Sequence, residues 1–220
     1  MQKSYALFDF DGTLISGDSF ILFCQYAKKK GFCDQKAFLK SIWAGIRYLL
    51  GMVSATQSKQ IALSFLKGHD LSALTALCEG FCTEILLPRV RPLGRTELAK
   101  HQAAGVEILL ITASPSFYFE PLKAALGITE VIGTRVDFDA DGKATGLIGE
   151  NCKGLQKPLR LAEYLAAKGY RLEYDTSYAY GDSASDMPML ELCKHKVGVN
   201  AKTKLARKLR LAEDATQVRW

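Results

Sequence analysis

The 220-residue chain has no C-x-x-C pair among its six cysteines (Cys24, Cys33, Cys78, Cys82, Cys152 and Cys193) and no compact spacing that reads as a disulfide framework. Its three histidines, His69, His101 and His195, offer neither zinc-ligand spacing nor a Ser-His-Asp arrangement. A G-x-x-x-x-G-K-[ST] loop is missing, which excludes nucleotide hydrolysis of the P-loop kind. There is no internal repeat and no low-complexity segment, and no secretory leader is read ahead of the first apolar strand, so a reduced, cytoplasmic protein is expected. The most apolar stretch, Phe38 to Val53, is too short to span a bilayer and contains Lys40 and Arg47, so it reads as a packed helix rather than one lying in a membrane interface. Asp137-Phe138-Asp139-Ala140-Asp141-Gly142 starts like a calcium loop, but Ile148 stands where a bidentate glutamate is needed, so a polar hairpin tip is expected there.

Positive charge is in excess by 6, yet residues 1 to 193 hold 21 basic and 21 acidic side chains. The whole excess lies in the last 27 residues, where Lys194, Lys196, Lys202, Lys204, Arg207, Lys208 and Arg210 precede the first acid, Glu213. A solvated helical face accounts for such a run, with an anionic membrane surface as the sharper alternative; nucleic acid is not an expected partner.

A composition that is 48% hydrophobic supports a sizeable core. The chain opens on an apolar strand, Tyr5-Ala6-Leu7-Phe8, that runs into Asp9-Phe10-Asp11-Gly12-Thr13. Two carboxylates at the end of a buried strand repel each other in a medium that penalises charge, and so ask for a divalent cation or a shared proton. Residues 17 to about 88 then carry helix-period apolar positions with almost no strand signal, an all-helical insertion punctuated by Gly31, Gly51 and Gly68 and ended by Pro88 and Pro92. Beyond it, strands are expected at 107–112, 131–136, 177–180 and 196–199. Helices are expected near 92–104, 116–126, 157–168 and 186–192, and a hairpin turn at Asp141-Gly142. Strands separated by helices imply an α/β fold with a doubly wound, mostly parallel sheet, built from residues 1–13 and 91–220 with residues 14–90 as a helical cap.

Strand ends of such a sheet converge on one edge, where ligands bind. The strand at 107–112 ends in Thr112-Ala113-Ser114-Pro115, and that at 177–180 in Gly181-Asp182-Ser183-Ala184-Ser185-Asp186. Each item alone has a bland reading, since Ser114 and Asp186 both suit helix caps. Together they bring four carboxylates and small hydroxyls to one place.

The ordered set Asp9-x-Asp11-x-Thr13, Thr112, Lys157 and Gly181-Asp182-x-x-x-Asp186 resembles the haloacid dehalogenase superfamily, and the cap between its first two motifs is similar to the subgroup containing phosphoserine phosphatase. The resemblance implies a magnesium-dependent phosphatase acting on a small-molecule phosphate ester. Asp9 would be the nucleophile and a metal ligand, and Asp11 the general acid and base as well as a metal-site residue through its carbonyl. Asp182 and Asp186 would complete the magnesium site, and Thr112, Ala113 and a lysine would hold the phosphoryl group. Lys153 competes with Lys157 for that last role, Lys157 being the better match to the C-x-G-x-x-K segment. For the organic part of the substrate, Asp18 stands near the acidic position of phosphoserine phosphatases, but no residue matches their cap arginine and Lys59, without a bidentate fork, is only a partial substitute, so phosphoserine is an alternative and not the favoured substrate. The apolar cap and the basic C-terminal run make a phospholipid phosphate, as in relatives acting on phosphatidylglycerophosphate, a further alternative, as are a phosphotransferase and a non-catalytic phospho-ligand binder.

Overall fold

A computed structural model describes all 220 residues. The short strand β1 (Gln2–Lys3) precedes β2 (Tyr5–Phe8), after which the chain leaves the sheet for α1 (Ser19–Lys29), α2 (Gln35–Leu49), α3 (Ala55–Ala62) and α4 (Leu71–Phe81). It returns through α5 (Pro92–Ala103), β3 (Glu107–Pro115), α6 (Glu120–Leu126) and β4 (Glu130–Thr134). The hairpin β5 (Val136–Phe138) and β6 (Ala144–Ile148) and then α7 (Gln156–Lys168) follow. The last third adds β7 (Arg171–Leu172), β8 (Tyr178–Gly181), α8 (Met187–Leu190), β9 (His195–Val199), α9 (Thr203–Leu209) and β10 (Ala215–Val218).

The main sheet has six strands in the order β10-β9-β8-β2-β3-β4, every neighbouring pair parallel. From β2 the chain winds outward through β3 and β4, then comes back to the other side of β2 with β8, β9 and β10. The strand order therefore reverses between β2 and β8, and a crevice opens at their carboxyl ends. All four residues of β2 are buried because both faces of the sheet are covered: Tyr5 and Leu7 pack with Leu161 of α7 and Leu205 of α9, while Ala6 and Phe8 share a cluster with Leu98 of α5 and Leu122 of α6.

That second cluster runs on into the cap. Phe23 of α1 and Phe81 of α4 meet edge to face at 5.3 Å, and both pack on the ring of Tyr118 in the main body. The helical run from Leu71 to Arg89 is long and apolar enough by length and composition to cross a membrane, but Leu74, Leu77, Phe81 and Leu86 are buried in this cluster.

Several features depart from the sequence reading or add to it. The helix expected from 116 begins as a 3₁₀ turn over Ser116–Phe119, with Pro121 in the first turn of the α-helix that follows. The β5–β6 hairpin, expected from its turn at Asp141-Gly142, also reaches out to the cap, where the Gly68 and Leu71 amides donate to the carbonyls of Ala144 and Gly142 at 2.9 and 3.0 Å. Strand β10 was not expected at all. The basic C-terminal run forms no single face: Lys196 is buried in β9, Lys202 sits in a loop, and only Lys204, Arg207 and Lys208 lie on α9.

Helix α2 also differs. It was expected to bury its apolar stripe, yet Ala44 is its one buried residue, and Leu39, Ile42, Trp43, Ile46 and Leu49 are exposed.

Candidate active site

The chain turns sharply after β2 because Gly12 takes φ +86°, a conformation that costs glycine nothing. A Cβ at Gly12 would also run into the Asp182 carboxylate, so glycine lets the ends of β2 and β8 come together. Asp9, Asp182 and Asp186 are all buried, with one carboxylate oxygen of each within 4.8 Å of the others.

Lys157 enters this cluster from the first turn of α7. Its ammonium donates to Asp9 Oδ1 at 2.7 Å and to Asp186 Oδ1 at 2.6 Å, and the side chain is 1% exposed. Thr13 Oγ1 holds the other Asp9 oxygen at 3.2 Å. Asp186 Oδ2 accepts from the amide and hydroxyl of Ser183 at 3.0 and 2.8 Å, so the bland reading of Asp186 as part of a helix cap holds alongside its place in the cluster. Lys202 Nζ lies 2.6 Å from Asp182 Oδ2.

One buried ammonium between two buried carboxylates leaves negative charge uncompensated. Burial, only partly offset by Lys157 and reinforced by the neighbouring Asp186, pushes Asp9 up to about 8. Asp186 feels the same burial, but the Lys157 ammonium and the Ser183 hydrogen bonds outweigh it and hold its carboxyl below the ordinary value. Lys157 in turn is held protonated, the two carboxylates overcoming the cost of its burial. An all-oxygen set with net negative charge is the donor chemistry that a hard divalent cation requires.

Asp11 lies outside that cluster. Its Oδ1 accepts from the Ser19 amide at 2.6 Å and its Oδ2 from the Ser114 hydroxyl at 2.6 Å, with the Ser19 hydroxyl 3.0 Å from Oδ2. Burial and the charge of Asp18 push its pKa up to about 6, against the pull of these hydrogen bonds. Ser114 thus does not cap a helix; it holds an acid. Thr112 is buried within β3, three residues before its end, its hydroxyl accepting from the Ser114 amide at 3.1 Å.

Between Lys157 and Lys153, the structure brings Lys157 to the carboxylates; Lys153 lines the cavity above them and forms no ion pair. That cavity, about 1100 Å³, has Asp9, Asp11 and Lys157 at its floor and the cap helices α1, α2 and α3 as walls. Asp18 also lines it, exposed, while its carboxylate caps α1 through the Ile21 amide at 3.1 Å. Lys59 lines the cavity too, its ammonium bound to the Ala113 carbonyl and, at 2.7 Å, to Asn151 Oδ1, and burial lowers its pKa to about 8.

Sequence reasoning missed Ser19, Asn151 and Lys202 as members of the site. Ser19 opens α1 and Asn151 follows the hairpin, so neither stands at the end of a core strand.

A parallel sheet with buried carboxylates at its switch point and helices above them is a doubly wound α/β fold with a ligand crevice at the carboxyl ends of its strands. The sequence profile of haloacid dehalogenase-like hydrolases matches residues 6–191, and the chain belongs to that family. It is 33% identical over 207 residues to a histidinol-phosphatase of Neisseria meningitidis serogroup C, covering 93% of each chain. A phosphoserine phosphatase of Mycobacterium tuberculosis is 30% identical over 205 residues, which cover 91% of this chain and 66% of that protein. Among solved structures, a protein of unknown function from Bordetella pertussis Tohama I superposes with a TM-score of 0.87 at 26% identity over 98% of each chain. The enzyme class expected from the sequence, a phosphatase, is that of its named relatives.

Proposed function

We propose that the protein is a magnesium-dependent phosphomonoester hydrolase that works through an aspartyl-phosphate on Asp9. The observation that carries this reading is the convergence of Asp9, Asp182, Asp186 and Lys157 at one sheet edge, beside a separately held acid, Asp11.

Asp9 attacks phosphorus while Thr13 and Lys157 fix the plane of its carboxylate. Asp11, poised by Ser19 and Ser114 and raised to about 6, protonates the leaving alkoxide and then takes a proton from the water that cleaves the intermediate. Thr112 and the Lys157 ammonium bind phosphoryl oxygens as charge builds on them. Asp9, Asp182, Asp186 and the Asp11 carbonyl would hold magnesium, which when bound supplies a Lewis acid for the phosphoryl oxygens. The cap excludes bulk water.

The substrate we favour is a small organic phosphate whose carbon skeleton bears an amine. Asp18 forms no ion pair and lines the cavity, where its carboxylate can meet a substrate ammonium. Histidinol phosphate, suggested by the name of the Neisseria relative, fits this description. Six cysteines, all free and buried, agree with a reducing compartment such as the cytoplasm. The test is magnesium-dependent release of inorganic phosphate across a panel of amino-alcohol, amino-acid, sugar, nucleotide and lipid phosphates, with Asp9→Asn as control. Amino-alcohol phosphates should lead the panel; undiminished turnover by Asp9→Asn removes the nucleophile assignment.

A further inference from the structure

Helix α2 inverts the ordinary arrangement of an amphipathic helix, which turns its apolar stripe inward. Leu39, Ile42, Trp43, Ile46 and Leu50 recur at spacings of three and four along one side and point to solvent, Trp43 at 59% and Leu50 at 67% exposure. Met52, in the turn that follows, extends the patch. Contiguous exposed apolar surface of this kind marks a contact surface rather than chance.

Charge identifies what the surface meets. Residues 19–68 hold eight lysines and arginines against a single acid, Asp34, although residues 1–193 as a whole are balanced. Of the eight, Lys30 is paired with Glu84, while Lys36, Lys40 and Arg47, all on α2, form no ion pair. With 3.6 residues per turn these three fall together along one flank of the apolar stripe. A second copy of this chain would bring like charges face to face; an anionic surface would neutralise them. An apolar stripe with an interfacial tryptophan and a lysine- and arginine-bearing flank is the pattern of a helix lying in a lipid headgroup layer.

We propose that the α2 face of the cap docks on an anionic lipid bilayer. Ile42, Ile46 and Leu49, on the inner margin of the stripe, also line the cavity above Asp9. The cavity mouth then stands beside the lipid surface. The docking is independent of the phosphatase reading, because it rests on the outside of the cap.

The experiment is co-sedimentation of the full chain with phosphatidylcholine vesicles, with and without phosphatidylglycerol, at low and high salt. A Trp220→Phe background leaves Trp43 as the one tryptophan to follow by emission. Binding is expected only with phosphatidylglycerol and low salt, with a blue shift of Trp43. Lys36→Gln/Lys40→Gln should weaken binding on the order of tenfold or more, at about fivefold per cation. Leu39→Ser/Trp43→Ser should abolish it while far-ultraviolet circular dichroism stays unchanged. No binding to phosphatidylglycerol vesicles at low salt overturns the proposal. So does a concentration-dependent dimer, seen by sedimentation without lipid, that shields Trp43.

Discussion

At the scale of single residues, the site sets a buried carboxylate, Asp9, against one shared ammonium, and this arrangement has a thermodynamic consequence. With a folded-state pKa of about 8 against an ordinary 3.8, Asp9 contributes its full stability below about pH 4 and takes it away as pH rises toward 8. Asp9→Asn removes that burden while Asp186 still partners Lys157. In chelator, the variant should therefore melt several degrees above the parent at pH 8 and close to it at pH 4, as read by calorimetry. A lower melting point at pH 8 would mean that Asp9 is stabilising. The reverse trade applies to activity, which the same change should abolish.

Asp11 carries a second residue-scale prediction. An alkoxide leaving group needs its proton, whereas p-nitrophenolate does not. Asp11→Asn should cut kcat on alkyl phosphates by about a hundredfold or more and spare the first step on p-nitrophenyl phosphate. In the parent, with Asp11 near 6, leaving-group protonation weakens as pH rises through that value, so kcat on alkyl phosphates should fall above it if that step limits turnover. Equal losses on both substrates would place Asp11 in structure rather than proton transfer.

At the scale of elements, Lys59 fastens α3 of the cap to the end of β3 through Ala113 and to Asn151, which Thr134 Oγ1 also approaches at 3.3 Å. Lys59→Met keeps the stem and removes the charged hydrogen bonds, each worth about 1.5–3 kcal/mol. On the proposal that the cap reads the substrate and the core performs the reaction, KM should rise roughly tenfold or more with kcat little changed. A fall in kcat alone would contradict that division.

The elements themselves were unevenly legible. Strands β2, β3 and β8 announce themselves as continuous apolar runs, because both faces of the sheet are covered, and their polar ends mark the site. Strand β10 does not: it is an edge, with Thr216 and Gln217 exposed, so no hydrophobic period betrays it. The hairpin's attachment to the cap rests on backbone amides and carbonyls, which side-chain pattern does not encode. Lys202 was absorbed into a charge run, yet its own amide donates to the Asp182 carbonyl at 2.8 Å and so delivers its ammonium to Asp182. The outward stripe of α2 has the same period as an inward one; sequence gives the stripe and not its direction.

For the whole molecule, the reversal of strand order between β2 and β8 is the organising fact, and the helical insertion after β2 builds a roof over the crevice it creates. A cation bound there ties β2 to the loop after β8 across the centre of the sheet. Saturating magnesium should raise the melting temperature by about 5 °C or more at pH 7, the expectation for a ligand near a hundred times its Kd on a chain of this size. The rise should vanish in Asp182→Asn. A rise that survives in that variant would move the metal away from this cluster.

Lys157, Thr13 and the neighbouring acids meet at the Asp9 carboxylate, and a covalent phosphoryl group there is the most direct sign of its role. Acid quenching during turnover of a good substrate with magnesium, followed by peptide mass mapping, should find one phosphoryl group on the peptide containing Asp9, and none in Asp9→Asn. Turnover without any such adduct under saturating substrate, or an adduct on another residue, would contradict the central claim.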